Sequence, residues 1–228
     1  GLVVGILLIL ERRGGLGEVN TPQPAQGGVY TEALIGYPQR LNPLLDATNS
    51  VDRDVNKLIF SGLVKFDSRG IPKPDLAESV GISQDGTLYN ITLKQDLTWH
   101  DGEDLTTRDI LFTIELIRNG GDYIPDDVSA LWDSVEVYLF DDLNMQLKLP
   151  EPFSPFMDYL TFGVVPQHLF EDMDINEIAD SPLNMQPVGS GPYRFDELLM
   201  EGSSLNGIRL RAFEDFAGEQ PFLQEIVF

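Results

Sequence analysis

The sequence predicts an α+β fold in which strands and helices mix within one folded body. Three observations carry this. Ser83–Leu93 and Ser134–Leu149 alternate apolar and polar residues around Asp85-Gly86 and Asp141-Asp142, the pattern of two β-hairpins. Val55, Leu58 and Ile59 recur at helical spacing within Asp52–Phe60, as do Ile110, Leu111, Ile114 and Ile117 farther on. Between them Leu97–Ile117, LTWHDGEDLTTRDILFTIELI, joins a strand end, a tight turn and an amphipathic helix.

From the start of the chain, Gly1–Leu10 (GLVVGILLIL) is almost wholly apolar. A membrane span takes about twenty such residues and the apolar region of a signal about seven to fifteen, so the run reads as a membrane anchor or an uncleaved signal. Arg12-Arg13 directly after it argue the other way, because basic flanks favour the cytoplasm. Residues 11–27 are a Gly-rich, polar linker.

Folded sequence begins at Gly28. Val29–Leu34 reads as a strand that Gly36-Tyr37-Pro38 breaks. Leu41-Asn42-Pro43-Leu44-Leu45 leads into a polar bend, Asp46–Ser50, then the helix Asp52–Phe60 and a strand, Leu63–Phe66. A Pro-bounded connector, Ile71–Ser79, precedes the first hairpin, whose turn suits Asp85-Gly86 if both residues take positive φ. The alternation of Ile91 to Leu97 extends its second strand up to Trp99, and His100-Asp101-Gly102 is turn chemistry. Thr106 or Thr107 then caps a helix that carries Asp109 in its first turn, where a carboxylate suits the dipole.

Asn119–Pro125 is a Gly-rich break, Leu131-Trp132-Asp133 a short helical or packing segment, and Asp126-Asp127 a solvated pair in a loop. Beyond the second hairpin, Phe156–Leu160 starts a helix, Phe162–Pro166 reads as a buried strand, and Gln167–Phe170 opens another helix. Gly189-Ser190-Gly191 allows a sharp bend, and Pro192 stiffens the exit into strands at Tyr193–Phe195 and Ile208–Phe213.

A chain of 228 residues can bury a substantial core. Its formal net charge of −22 argues against nucleic-acid phosphate or an anionic membrane surface as partner. There is no cysteine, which excludes disulfides, thiolate metal sites, a Cys nucleophile and a lipidated Cys within these residues.

The segment Trp99–Ile117 resembles the W-[HS]-[DN]-G-x-x-hydrophobic-T-A-x-D-V-x-F-[ST] run of the family-5 extracellular solute-binding proteins, the dipeptide, oligopeptide and nickel receptors of ABC importers. Asn184–Phe195, NMQPVGSGPYRF, is similar to their P-[IV]-G-[ST]-G-P-[YF] crossover, and Leu41-Asn42-Pro43 with Gly62-Leu63-Val64 to their opening segment. Phe216 and Ala217 stand where the family usually has Tyr-Trp, so aromatic packing there is expected to be weaker.

The resemblance covers residues 28–228. It implies a periplasmic-binding-protein-like class II (cluster C) lobe, incomplete, in which residues 28–66 and 187–228 form the first lobe and 67–186 an inserted small α+β subdomain. On this reading the chain is an N-terminal fragment that lacks the second lobe.

In these receptors the loop after LNP lines the cleft, which makes Asp46, Asn49, Ser50 and Val51 the ligand-facing candidates. The same residues suit an ordinary connecting loop with a helix cap. Gly189, Ser190 and Gly191 would form the hinge or crossover. The resemblance further implies a monomer on the extracellular face of the cytoplasmic membrane or in the periplasm, which binds a peptide or another small solute, works with an ABC permease and uses no cofactor.

The residues themselves offer little catalytic chemistry. Gly189-Ser190-Gly191 lacks the spacing of a G-x-S-x-G elbow. His100 and His168 are the only imidazoles, and nothing places either beside Ser190. His100, Asp101, Glu103 and Asp104 diverge around a turn and make no metal site, and no phosphate-binding loop is present. The reading is a non-enzymatic binding module, with a sensory or structural ectodomain on the same scaffold as the alternative and a hydrolase as a distant third.

Overall fold

The computed structural model describes residues 27–228; the apolar run 1–10 and nearly all of the linker 11–27 lie outside them. The described residues build two four-stranded sheets around one continuous buried apolar cluster. The first sheet has β1 (Val29–Thr31) at one edge, parallel to β10 (Glu225–Val227). Next come the antiparallel β9 (Ser204–Ala212) and β8 (Tyr193–Glu201). The second sheet is antiparallel throughout, in the order β4 (Ala77–Ile82), β5 (Leu88–Leu93), β7 (Asn144–Lys148) and β6 (Glu136–Leu139). A small ribbon of β2 (Val64–Phe66) and β3 (Pro72–Pro74) stands between α1 (Ser50–Ile59) and the second sheet.

Strand alternation buries Tyr89, Ile91 and Leu93 of β5 with Met145 and Leu147 of β7, residues that pair across the ladder as Tyr89–Leu147 and Ile91–Met145. Ile110, Ile114 and Ile117 of α2 (Thr107–Arg118) are buried in the same cluster. The helix starts at a full capping box: the Thr106 side chain accepts from the backbone of the first turn and the Asp109 carboxylate accepts from Thr106 N–H. Thr113, on the apolar face of α2, is also buried. Its Oγ1 donates to Asp109 O at 2.8 Å and accepts from Val165 N–H at 3.1 Å, so the cost of burying a hydroxyl is met. Phe156, fully buried, sits edge-on to Tyr89 at 4.8 Å and 5.4 Å from Trp132, which closes the core under the second sheet.

Several elements depart from the sequence expectation. β5 ends at Leu93, since Asp96 adopts φ 55° in a turn and only Thr98 forms a further bridge, to Asp104. In the first hairpin turn only Gly86 has positive φ, 73°, and Asp85 instead accepts from the side chains of Ser83 and Thr87. Asp126-Asp127 open a helix, α3 (Asp126–Ser134), rather than lying in a loop; Pro125 precedes them and their carboxylates fall where the dipole favours anions.

Ser154–Thr161 is a 3₁₀ helix. Phe162–Pro166 is extended but joins no sheet: Val164 N–H donates to Ser61 O and Val165 N–H to a threonine hydroxyl. Gln167–Phe170 does form a helix, α4, followed by α5 (Ile175–Ala179). The expected strands Tyr193–Phe195 and Ile208–Phe213 are parts of one long hairpin turning at Gly202.

Candidate functional site

The segment after Leu41-Asn42-Pro43 is held by side chains that cap and tether. Asn49 is the N-cap of α1: its Oδ1 accepts from Val51 N–H at 3.0 Å and Asp52 N–H at 3.3 Å, while its Nδ2 donates to Tyr37 O. Asp52, 1% exposed, accepts from Gln39 N–H and Arg40 N–H and so straps the preceding loop to the helix. Val51, Val55 and Ile59 face inward, which leaves Arg53, Asn56 and Lys57 as a stripe at i, i+3 and i+4.

That stripe lines a hollow of about 590 Å³. Asp46, the Lys65–Asp75 pair of the β2–β3 ribbon, Phe162, Pro192 and Phe216 complete its walls. Asn56 Nδ2 donates to Asp46 Oδ2 at 3.0 Å, and the Asn56 Oδ1, buried, has no partner. Burial raises the Asp46 carboxyl above the usual carboxylate range, against the bond from Asn56 and the charge of Arg53. Lys65 Nζ bonds Asp75 at 2.8 Å and lies 5.8 Å from the Phe216 ring centroid. In a chain of net charge −22, three cations against two carboxylates make this hollow locally basic.

Of the four residues expected to face a ligand, Asp46 alone lines the hollow. Asn49 is committed to the cap, Val51 is 5% exposed beneath Gly36, and Ser50 is a solvent-exposed helix start. The lining residues that sequence reading missed are Arg53, Asn56 and Lys57. Their signal was present in the polar i, i+3, i+4 spacing opposite Val55 and Ile59.

Gly189, Ser190 and Gly191 form the strap by which the chain leaves the second sheet's side and enters β8. Neither glycine has positive φ, so bending is not the reason for them. A Cβ on Gly189 would lie 2.0 Å from Ile59 O and one on Gly191 2.6 Å from Leu58 O, with Gly191 N–H bonded to Ile59 O at 2.8 Å. The strap is pressed against the end of α1, and only glycine fits. The Ser190 hydroxyl is buried with no partner.

His100 clasps the strap from the other side. Its Nε2 lies 3.0 Å from Gly191 O, its Nδ1 accepts from Gly189 N–H at 3.2 Å, and its backbone N–H donates to Gly189 O. These partners fix a neutral imidazole with its proton on Nε2. Burial lowers the pKa to about 4. The ring also meets Phe213 edge-on at 4.8 Å and faces a larger, polar cleft of about 920 Å³ beside the β8–β9 hairpin.

His168 bonds Asp101 at 2.8 Å, so the two imidazoles have separate partners, and although His100 bonds both residues flanking Ser190, neither ring hydrogen-bonds the Ser190 hydroxyl. Among the described residues no three His, Asp or Glu side chains are grouped to hold a metal ion, and no helix is long and apolar enough to cross a membrane.

The fold is a class II periplasmic-binding-protein-like lobe of mixed α and β structure. Residues 72–228 match the family described as bacterial extracellular solute-binding proteins, family 5 Middle, and the chain belongs to that family. It is 27% identical over 209 residues to the oligopeptide-binding protein AppA of Bacillus subtilis, covering 90% of this chain and 37% of AppA. The structure of AppA in complex with a nonapeptide superposes with a TM-score of 0.78 at 26% identity, over 90% of this chain and 40% of that one. NikZ from Campylobacter jejuni, in complex with Ni(L-His), does so with a TM-score of 0.70 at 30% identity, over 91% and 39%. The chain therefore spans well under half the length of the relatives it matches, whose family is one of binding proteins.

Proposed function

We propose that this chain is part of the substrate-binding component of an ABC importer, a monomer that binds a peptide or a similar small solute outside the cytoplasm and delivers it to a membrane permease without chemical change. The supporting observation is the hollow beside α1, which presents Asp46 and the cations Arg53 and Lys57 on the segment following Leu41-Asn42-Pro43. A peptide main chain carries both amide donors and carbonyl or carboxylate acceptors, and a hollow lined by the carboxyls of Asp46 and Asp75 and the cations Arg53, Lys57 and Lys65 offers partners to both. We assign residues 28–66 and 187–228 to the first lobe, 67–186 to an inserted subdomain, and 189–191 to the crossover between them. The run 1–10 is assigned as a membrane anchor or signal.

The test is ligand-dependent melting of the full-length protein with a peptide library, repeated for Asp46→Ala and Arg53→Ala. A ligand at one hundred times its Kd adds about 2.7 kcal/mol of stability, so a binding peptide is expected to raise Tm measurably and each substitution to weaken that rise. No shift with any peptide or with a nickel–histidine complex would overturn the transport reading and favour a sensory or structural ectodomain.

A further inference from the structure

We propose that His100 is a positioning residue and a proton-operated latch: its neutral imidazole holds the Gly189–Gly191 strap against the end of α1, and its protonation lets the strap go and loosens the hollow beside that helix. The coupling to the hollow rests on the functional reading above; the latch itself does not.

The geometry sets the switch. Gly189 N–H points at Nδ1 with 3.2 Å between the nitrogens, so a second proton on the ring would face another N–H and that bond must break. The bond from Nε2–H to Gly191 O is compatible with either form, so protonation costs the strap one tie and places a charge on a ring whose partial burial disfavours it. On the opposite side the strap is fixed by Gly191 N–H to Ile59 O, and Pro192, the next residue, lines the hollow. His100, the strap, the last turn of α1 and the hollow thus form one packed series.

The charges sharing the cleft that His100 faces are Asp96 and Asp101 on its own turn, Arg194 and Arg211 on β8 and β9, and Glu214, Asp215 and Glu225 beyond β9. Arg194 disfavours the imidazolium and Asp101 favours it, but Asp101 is already bonded to His168. Burial dominates and holds the ring's pKa at about 4 against the ordinary 6.5, so the clasped form resists protonation by on the order of 300-fold.

Side-chain nitrogen NMR and amide hydrogen exchange on the full-length protein, from pH 7 to pH 3.5, test the latch. The expected result is a neutral His100 with its proton on Nε2 at pH 7. As the ring titrates, exchange at Gly189 and Gly191 should quicken by tenfold or more over His100→Gln measured at the same pH, a comparison that cancels the intrinsic pH dependence of exchange. His100→Gln keeps a hydrogen-bonding amide without a titrating group, and its strap should show no acid-driven loosening. His100→Phe should loosen the strap at every pH.

Strap exchange that tracks the same pH curve in wild type and His100→Gln would overturn the latch, as would a ring found charged at pH 6. Peptide affinity measured in parallel should fall with strap loosening; an affinity unmoved by His100→Phe would overturn the coupling to the hollow. If no peptide binds any variant, the functional reading fails while the exchange data still judge the latch.

Discussion

Replacing Gly189 with alanine isolates the contact between the strap and α1. The added Cβ would stand 2.0 Å from Ile59 O, 2.7 Å from Ile59 C and 2.8 Å from its Cγ2. Carbon and its neighbours settle at about 3.5 Å, so the strap must retreat by roughly 1.5 Å. Most of the obstruction is backbone at a helix end and cannot rotate away. Overpacking of this kind costs about 1–3 kcal/mol. The retreat also stretches the Gly191 N–H to Ile59 O bond and the two ties to the His100 ring, and losing one or two of these adds about 1 kcal/mol each. The expected loss is about 2–5 kcal/mol, a large part of the ~5–15 kcal/mol that holds a typical domain folded. Urea unfolding at fixed pH reads it as a lower midpoint at unchanged slope. Gly81→Ala is the control, because its Cβ would meet nothing closer than 3.8 Å and its φ is ordinary. There alanine should be neutral or stabilising by up to about 1 kcal/mol. A Gly189→Ala loss below about 1 kcal/mol, or an equal loss at Gly81, would refute the contact argument.

Three further outcomes follow from the same structure. Phe156→Ala removes a fully buried ring packed on Tyr89 and Trp132 and should cost about 3–5 kcal/mol in the same assay. Asp109→Ala takes the carboxylate partner from two backbone donors, Thr106 N–H at 2.8 Å and Gln167 N–H at 3.0 Å, and should cost about 3 kcal/mol, with Asp109→Asn recovering part of it. The His100 pKa is lowered to about 4 from 6.5, so between those values the unfolded chain binds more protons than the folded one; this contribution to stability is whole above pH 6.5 and is lost as pH falls to about 4. Taken as the difference between wild-type and His100→Gln unfolding profiles, which cancels the carboxylates, the loss should reach about 3 kcal/mol.

Where an element is fixed by residues a few positions apart, the sequence was enough to read it. Thr106 and Asp109 make a reciprocal cap within three residues, and the hairpins close over short turns. The Asp46–Val51 loop was readable only as two alternatives, and the bonds of Asn49 to Val51, Asp52 and Tyr37 assign that residue to the cap. What escaped was set by distant partners. Phe162–Pro166 has strand-like composition, yet its amides go to Ser61 O and a threonine hydroxyl, which no local pattern encodes. β1 pairs with a strand at the other end of the chain. The strap makes the same point chemically: two glycines around a serine look like a hinge, whereas their φ values are ordinary and their need is proximity to Ile59 and Leu58. His100 lies 91 residues from the carbonyl it holds, so its place beside that strap is a consequence of folding. A hinge built for freedom is expected to tolerate alanine and to ignore the proton on His100, and a clamped strap is expected to tolerate neither, so the two variants separate these readings. The strap is bonded to Ile59 O on one side and to His100 on the other, and only Pro192 after it reaches the hollow, so movement there has to begin by breaking those hydrogen bonds.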